Sequence, residues 1–159
     1  HLSALSIFAK TIKEKGWNKN SATLVSPDMG GIRRIKILSQ VLDNMPYAII
    51  DKNRDLTSGK VTAEKIEGKV KRNAIIVDDM ISSGGTIAIA SELLKKNGAE
   101  EIAVFATHPV FSAQAPKILE ASSVKSVYVT DTIDIPREKK FPKLEVLSVA
   151  EMIATSLSS

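Results

Sequence analysis

The ten residues Val77-Asp78-Asp79-Met80-Ile81-Ser82-Ser83-Gly84-Gly85-Thr86 carry the densest chemistry in the chain. Hydroxyls on Ser82, Ser83 and Thr86 flank two glycines, Gly84 and Gly85, whose missing Cβ atoms let backbone N–H groups come close to an anion. The segment lies between an apolar run and the expected start of a helix, where unpaired N–H groups and the helix dipole favour negative charge. Together these features describe a phosphate cradle. No Gly-Lys-Ser/Thr follows, so it is not a Walker A loop, and the G-x-G-x-x-G spacing of a dinucleotide site is missing. Just upstream, Asp78 and Asp79 would repel each other if both were buried, and they need hydroxyl donors or a cation as partners. A sugar diol next to a phosphate supplies such partners.

Elements that could position this segment follow from the hydrophobic pattern. Apolar residues recur at Leu2, Leu5, Phe8, Ala9 and Ile12, a helical stripe from Leu2 to Lys15 closed by Gly16. Ala22–Ser26 reads as a buried strand, broken by Ser26-Pro27-Asp28-Met29-Gly30-Gly31. A second helix presents Ile32, Ile35, Leu38, Val41 and Leu42 and stops before Pro46, and Tyr47–Ile50 is strand-like. Lys52 to Arg72 is polar, with Gly59 and Gly68 as punctuation, and reads as a mobile loop or an exposed hairpin. Ala74–Val77 is a β-branched buried strand, and the loop Ser82–Gly85 opens a helix carrying Ile87, Ala90, Leu93 and Leu94. Strands at Ile102–Ala106, Val127–Val129 and Leu144–Val149, with helices at Pro116–Ala121 and Ala150–Leu157, complete the series. Alternation of this kind predicts an α/β domain on a mostly parallel twisted sheet of about five strands flanked by helices.

In such a sheet, ligands bind beyond the carboxyl ends of the strands. The residues expected there are Asp28, Asp51-Lys52, Asp78-Asp79, Thr107-His108 and Thr130-Asp131, so successive strands deliver polar groups to one rim. Composition limits what the rim can do. The 159 residues suit one domain, and 43% apolar with 25% charged residues is an ordinary globular balance. Cys is absent, which excludes a disulfide scaffold, a thiolate metal site and a Cys nucleophile, and fits a reducing cytoplasm. No apolar run approaches the roughly 18 residues needed to span a bilayer. The net charge of +4 and the single Trp, with no aromatic stacking platform, argue against a nucleic-acid partner. The chain opens on His1 and runs straight into a helix, which we read as a cut within a longer protein.

The Val77–Thr86 segment resembles the phosphoribosyl-diphosphate loop of type I phosphoribosyltransferases and ribose-phosphate pyrophosphokinases. Three further segments narrow the resemblance to the pyrophosphokinases: Val25-Ser26-Pro27-Asp28-Met29-Gly30-Gly31, Ala48-Ile49-Ile50-Asp51-Lys52-Asn53-Arg54 and Ala106-Thr107-His108-Pro109-Val110-Phe111-Ser112. Val129-Thr130-Asp131-Thr132-Ile133 is a weaker match. Together they cover essentially the whole chain, read as one domain over 1–159, and correspond to the second half of a family member.

That resemblance implies a phosphoribosyltransferase-like fold and a magnesium-dependent transfer of a diphosphoryl group from ATP to O1 of ribose 5-phosphate. Ser82, Ser83, Gly84, Gly85 and Thr86 would hold the 5-phosphate, Asp78 with Asp79 the ribose hydroxyls, and Asp28 the magnesium. Lys52 and Arg54 match the family's catalytic pair on a flexible loop. Two departures stand out: Ser82-Ser83 replaces an Asp-Thr common in the family, and Asn53 stands where members often have Arg. The resemblance also implies a first half that supplies most ATP contacts, a multimeric assembly and a fragment that is inactive alone. A phosphoribosyltransferase that consumes phosphoribosyl diphosphate, or a regulatory relative without turnover, are the alternatives.

Overall fold

Seven strands pair into a single sheet in the computed structural model, which describes residues 4–54, 61–112 and 114–148. In chain order the elements are α1 (Ala4–Glu14), β1 (Ala22–Ser26), α2 (Ile32–Val41), β2 (Tyr47–Arg54), β3 (Val61–Glu67), β4 (Asn73–Ile81), α3 (Gly85–Lys96), β5 (Glu101–Pro109), α4 (Ala115–Ala121), β6 (Ser126–Thr130) and β7 (Leu144–Leu147). Short 3-10 turns occupy Met29–Gly31 and Arg137–Lys139. The strands lie in the order β3-β2-β1-β4-β5-β6-β7, and every neighbouring pair is parallel except β2 with β3. No helix among the described residues is long and apolar enough to cross a membrane.

The central strands are buried on both faces, as a parallel sheet covered by helices requires. Alternate residues of one strand therefore feed two cores. Leu24, Ile75, Val77 and Phe105 pack under α1 and α2 with Phe8, Ile12, Ile35 and Leu38. Val25, Ile76, Val104 and Val129 pack under α3 and α4 with Ile87, Leu94 and Leu119. Aromatic rings gather on the first face, where Phe105 stacks on Tyr128 at 4.5 Å between centroids. Helices on opposite faces follow from the strand order. The chain leaves β1 toward β2 on one side, then crosses to β4 and continues through β5 to β7 on the other, and right-handed crossovers put the two sets of helices on opposite sides.

The sheet has seven strands where the hydrophobic pattern predicts about five. The polar stretch after Lys52 takes the hairpin alternative: β2 runs on to Arg54 and pairs antiparallel with β3, an edge strand whose Ile66 packs against the core. Edge strands need no apolar run to pair, so composition alone leaves this one open between a loop and a hairpin. β4 also outlasts its apolar run. Asp78 and Met80 continue the ladder opposite Ala106 and His108 of β5. β7 ends at Leu147, short of the expected Val149, and the helix expected at 150–157 lies outside the described residues.

Candidate active site

The order β2-β1-β4-β5 places a switch point between β1 and β4, because the chain runs outward from them in opposite directions. A crevice at the carboxyl end of such a pair is the expected ligand site of an open α/β sheet. A cleft of about 250 Å³ opens there, lined by Asp28, Asp78, Asp79, Met80, Ile81, Ser82, Ser83, Gly84, Thr86 and Ile87. Seven of the residues singled out from the sequence thus meet in one place, namely Asp28, Asp78, Asp79, Ser82, Ser83, Gly84 and Thr86.

Asp28 follows β1 and sits at the start of the Met29–Gly31 turn, where its side chain makes no capping hydrogen bond. The turn is held instead by the Ser26 hydroxyl, which donates to the Asp28 carbonyl at 2.7 Å. The exposed Asp28 carboxylate therefore borders the cleft without a role in the turn. The two β4 acids differ sharply. The Asp78 side chain is 19% exposed, whereas Asp79 is exposed. Besides burial, the Asp79 side chain and its charge both raise the cost of ionising Asp78, the repulsion expected of an adjacent pair. Asp78 Oδ1 accepts a hydrogen bond from the Asp79 N–H at 2.8 Å. Burial nevertheless pushes the Asp78 pKa up to about 6, with Asp79 and Asp28 adding like-charge repulsion. The Arg34 guanidinium approaches Asp78 Oδ1 at 3.7 Å, beyond hydrogen-bond reach, so its attraction does not offset the desolvation.

The loop after β4 is shaped by contacts on both sides. Gly84 is in the left-handed region at φ 83°, and a Cβ there would come 3.1 Å from Leu119 Cγ. Glycine satisfies both limits at once. Opposite it, the β5–α4 connection pairs with the loop: the Phe111 N–H donates to the Ile81 carbonyl at 3.0 Å and the Ser112 N–H to the Ser82 carbonyl at 2.9 Å. Gly84, at the N-cap of α3, offers no side chain, so the N–H groups of the first turn beyond Gly85 are the ones open toward an anion. Gly85 departs from expectation. It does not line the cleft, and its N–H lies 3.3 Å from Ser83 Oγ, to which it donates. Its contribution is the entry to α3 rather than an open face on the cleft.

The rest of the rim divides. β2 carries Lys52 and Arg54 at the same carboxyl edge, paired with Glu64 and Val61 of β3, with a register shift between Asn53 and Arg54. A simple two-residue alternation therefore does not run unbroken through that pair. His108 is exposed on β5 opposite Met80. Thr130 is buried, and its hydroxyl donates to the Thr107 carbonyl at 2.8 Å, so both residues serve the β5–β6 junction. Asp131 borders a separate cleft of about 380 Å³ with Ile133, Asp134, Ile135, Lys140 and Val146. Sequence reasoning gave no role to Arg34 or to the backbone of Phe111. Arg34 looks like any solvated helix cation until α2 is folded over the turn, and Phe111 carries no polar group to draw attention.

The fold and its cleft define the class first. The chain is similar to orotate phosphoribosyltransferase from Aeropyrum pernix, at a TM-score of 0.62 and 18% identity over 98% of this chain and 74% of that one, a likeness of fold alone. Residues 21–159 match the family model described as phosphoribosyl synthetase-associated domain. Over 158 residues the chain is 39% identical to a ribose-phosphate pyrophosphokinase of Gloeobacter violaceus, covering 99% of this chain and 47% of the relative. The phosphoribosylpyrophosphate synthetase structure from Mycobacterium smegmatis matches at a TM-score of 0.84 and 35% identity, over 99% of this chain and 50% of that one. The chain belongs to the phosphoribosyl synthetase-associated domain family, that of the ribose-phosphate pyrophosphokinases. It spans about half the length of the curated relatives it matches.

Proposed function

We propose that the cleft between β1 and β4 binds ribose 5-phosphate and that the chain serves a ribose-phosphate diphosphokinase, in which a diphosphoryl group passes from ATP to the sugar O1. The observation that carries this reading is the meeting of Asp28, Asp78, Asp79 and the Ser82–Thr86 loop in one cleft at the switch point of the sheet. Backbone N–H groups at the start of α3, with the hydroxyls of Ser82, Ser83 and Thr86, would take the 5-phosphate. Asp78, with Asp79, would accept hydrogen bonds from the ribose diol. Burial makes the Asp78 carboxylate costly to ionise, and two hydroxyl donors would offset that cost.

Magnesium suits the donor set. Among the described residues no cluster of three or more acidic, His or Cys side chains could enclose a metal, but Asp28 offers a hard carboxylate facing the place where phosphates would lie. Magnesium commonly binds through one or two carboxylates together with substrate phosphates. Bound so, it would neutralise charge on the diphosphate. Lys52 and Arg54, at the same edge of the sheet, would add fixed positive charge where phosphoryl oxygens become more negative during an in-line transfer.

The remaining half of such an enzyme would supply most of the nucleotide site, so the 159 residues alone should show little or no turnover. We take the working enzyme to be a homo-oligomer of the full-length protein in the cytoplasm. The test is production of AMP and phosphoribosyl diphosphate from ATP and ribose 5-phosphate by the intact gene product. Saturable uptake of ribose 5-phosphate without turnover would point to a regulatory relative. Transfer of a pre-formed phosphoribosyl group to a nucleobase would point to a phosphoribosyltransferase.

A further inference from the structure

Arg34 lies in the first turn of α2, and its guanidinium reaches the acid cluster on β4, with Nη1 3.7 Å from Asp78 Oδ1. Its side chain is only 26% exposed, a low value for a long cation on a surface helix. The path it follows is built into the turn before α2. Gly31 is buried, and a Cβ at that position would collide with Ser26 Oγ and stand 3.4 Å from Arg34 Nη1. The bare Gly31 thus leaves room for Arg34 to lie across the turn, and Ser26 fixes that turn through the Asp28 carbonyl. One arginine thereby ties the Asp28 turn to the Asp78 strand, the two sides of the cleft.

We propose that Arg34 is a positioning residue for the sugar: its guanidinium, laid over Gly31, holds the Asp78 carboxylate in the orientation that receives the ribose hydroxyls. The proposal rests on the reading of the cleft as a ribose 5-phosphate site and adds to it a specific dependence on α2. The contact is 3.7 Å long, and Asp78 is also held by its own strand through the Asp79 N–H. A guanidinium at that range acts as a directional counter-charge on an otherwise acidic wall, a role for which its planar fork is better suited than an ammonium.

A double-mutant cycle in the intact protein tests this, with ribose 5-phosphate as the titrant and calorimetry giving its Kd. Arg34→Gln should raise the Kd, and the KM for ribose 5-phosphate, on the order of tenfold, the effect of losing one charge-assisted contact, while kcat stays within about twofold. R34K should recover part of the loss, because charge returns without the fork. In an Asp78→Asn background the same R34Q change should cost less than about twofold, since its partner is already gone. An equal loss with and without the Asp78 carboxylate, an unchanged Kd, or an R34Q protein that fails to fold would each overturn the proposal. If the unaltered protein itself takes up no ribose 5-phosphate, the reading of the cleft falls and this inference falls with it. Uptake by the unaltered protein and R34Q alike would sink the Arg34 role alone.

Discussion

The two edges of the parallel sheet differ in how their strained and polar groups are used. At the amino edge, a cleft of about 780 Å³ lies among the ends of α1 and α2 and the start of β1, three times the volume of the one at the carboxyl edge. Its polar groups largely serve one another. Asn18 Oδ1 accepts the Asn20 N–H at 2.9 Å, and the Ser39 hydroxyl donates to the Met45 carbonyl at 2.6 Å. Its unusual backbone, Asp43 at φ 57° and Asn44 at φ 61°, falls on residue types that tolerate the left-handed region. The carboxyl edge is smaller and less comfortable. It holds a carboxylate that burial drives toward its neutral form, and an aromatic residue, Phe111, at φ 43°. Strain on an unsuitable residue type persists where surrounding structure enforces it, and such places cluster at functional sites. Volume is therefore the poorer guide. Uncompensated charge and enforced geometry mark the edge to which we assign the chemistry.

The sharpest way to break this contrast is a pair of lysine substitutions at opposite edges. Lys52→Ala in the intact protein should lower turnover by about a hundredfold to a thousandfold, as loss of one transition-state charge partner does, with KM little changed. Lys19→Ala, at the amino edge, should leave both parameters within about twofold, as expected for a surface change away from the chemistry. Steady-state kinetics decides. Comparable losses from the two would end the claim that the edges differ in function.

Asp78→Asn should separate stability from binding. Its folded pKa of about 6 lies above the ordinary 3.8, so between about pH 4 and pH 6 the folded state binds more protons than the unfolded one, and stability falls as pH rises through that window. Above it the penalty is complete, up to about 3 kcal/mol. D78N removes the charge, so it should raise stability at pH 7 by about 1–3 kcal/mol and flatten the pH dependence between pH 4 and 6, while weakening ribose 5-phosphate binding by at least about tenfold. Denaturant melts across that pH range check the first part, and calorimetry the second. A destabilised D78N at pH 7 would show that Asp78 is better satisfied in the fold than its burial implies.

Gly84→Ala asks whether the cradle is enforced by packing. The added methyl meets Leu119 at 3.1 Å and forces an L-residue into φ 83°, so a loss of about 1–2 kcal/mol is expected in thermal melts, with weaker phosphate binding. A fully stable variant would mean that the loop can adopt another backbone path.

Much of this was legible before folding because the cradle is continuous in sequence. Asp78 to Thr86 needs only a strand before it and a helix after it, and both are announced by hydrophobic pattern. The antiparallel edge strand β3 was legible only as one of two options, since an edge pairs through its backbone and leaves little trace in composition. The extension of β4 to Ile81 was hidden for a related reason. Ladder hydrogen bonds to Ala106 and His108 continue where hydrophobicity stops. Arg34 and Phe111 were illegible because their roles depend on contacts between α2 and β4, and between the β5–α4 connection and the cradle. Sequence periodicity describes one element at a time and cannot show such crossings.

The smallest expected effect tests the amino edge directly. Asn44 closes α2 from the left-handed region, with its N–H donating to the Ser39 carbonyl at 2.9 Å, a bond made by the backbone alone. Asn44→Gly keeps that bond and relieves the strain, but it also frees the unfolded chain, and the two contributions nearly cancel. Stability should therefore shift by no more than about 0.5 kcal/mol, and ribose 5-phosphate binding by the intact protein should not change. A binding defect from N44G would mean that the C-terminal end of α2 communicates with the cleft through Arg34 at the other end of the same helix. The two edges would then be mechanically coupled, and the functional contrast drawn between them would need to be replaced by a single α2 lever acting on both.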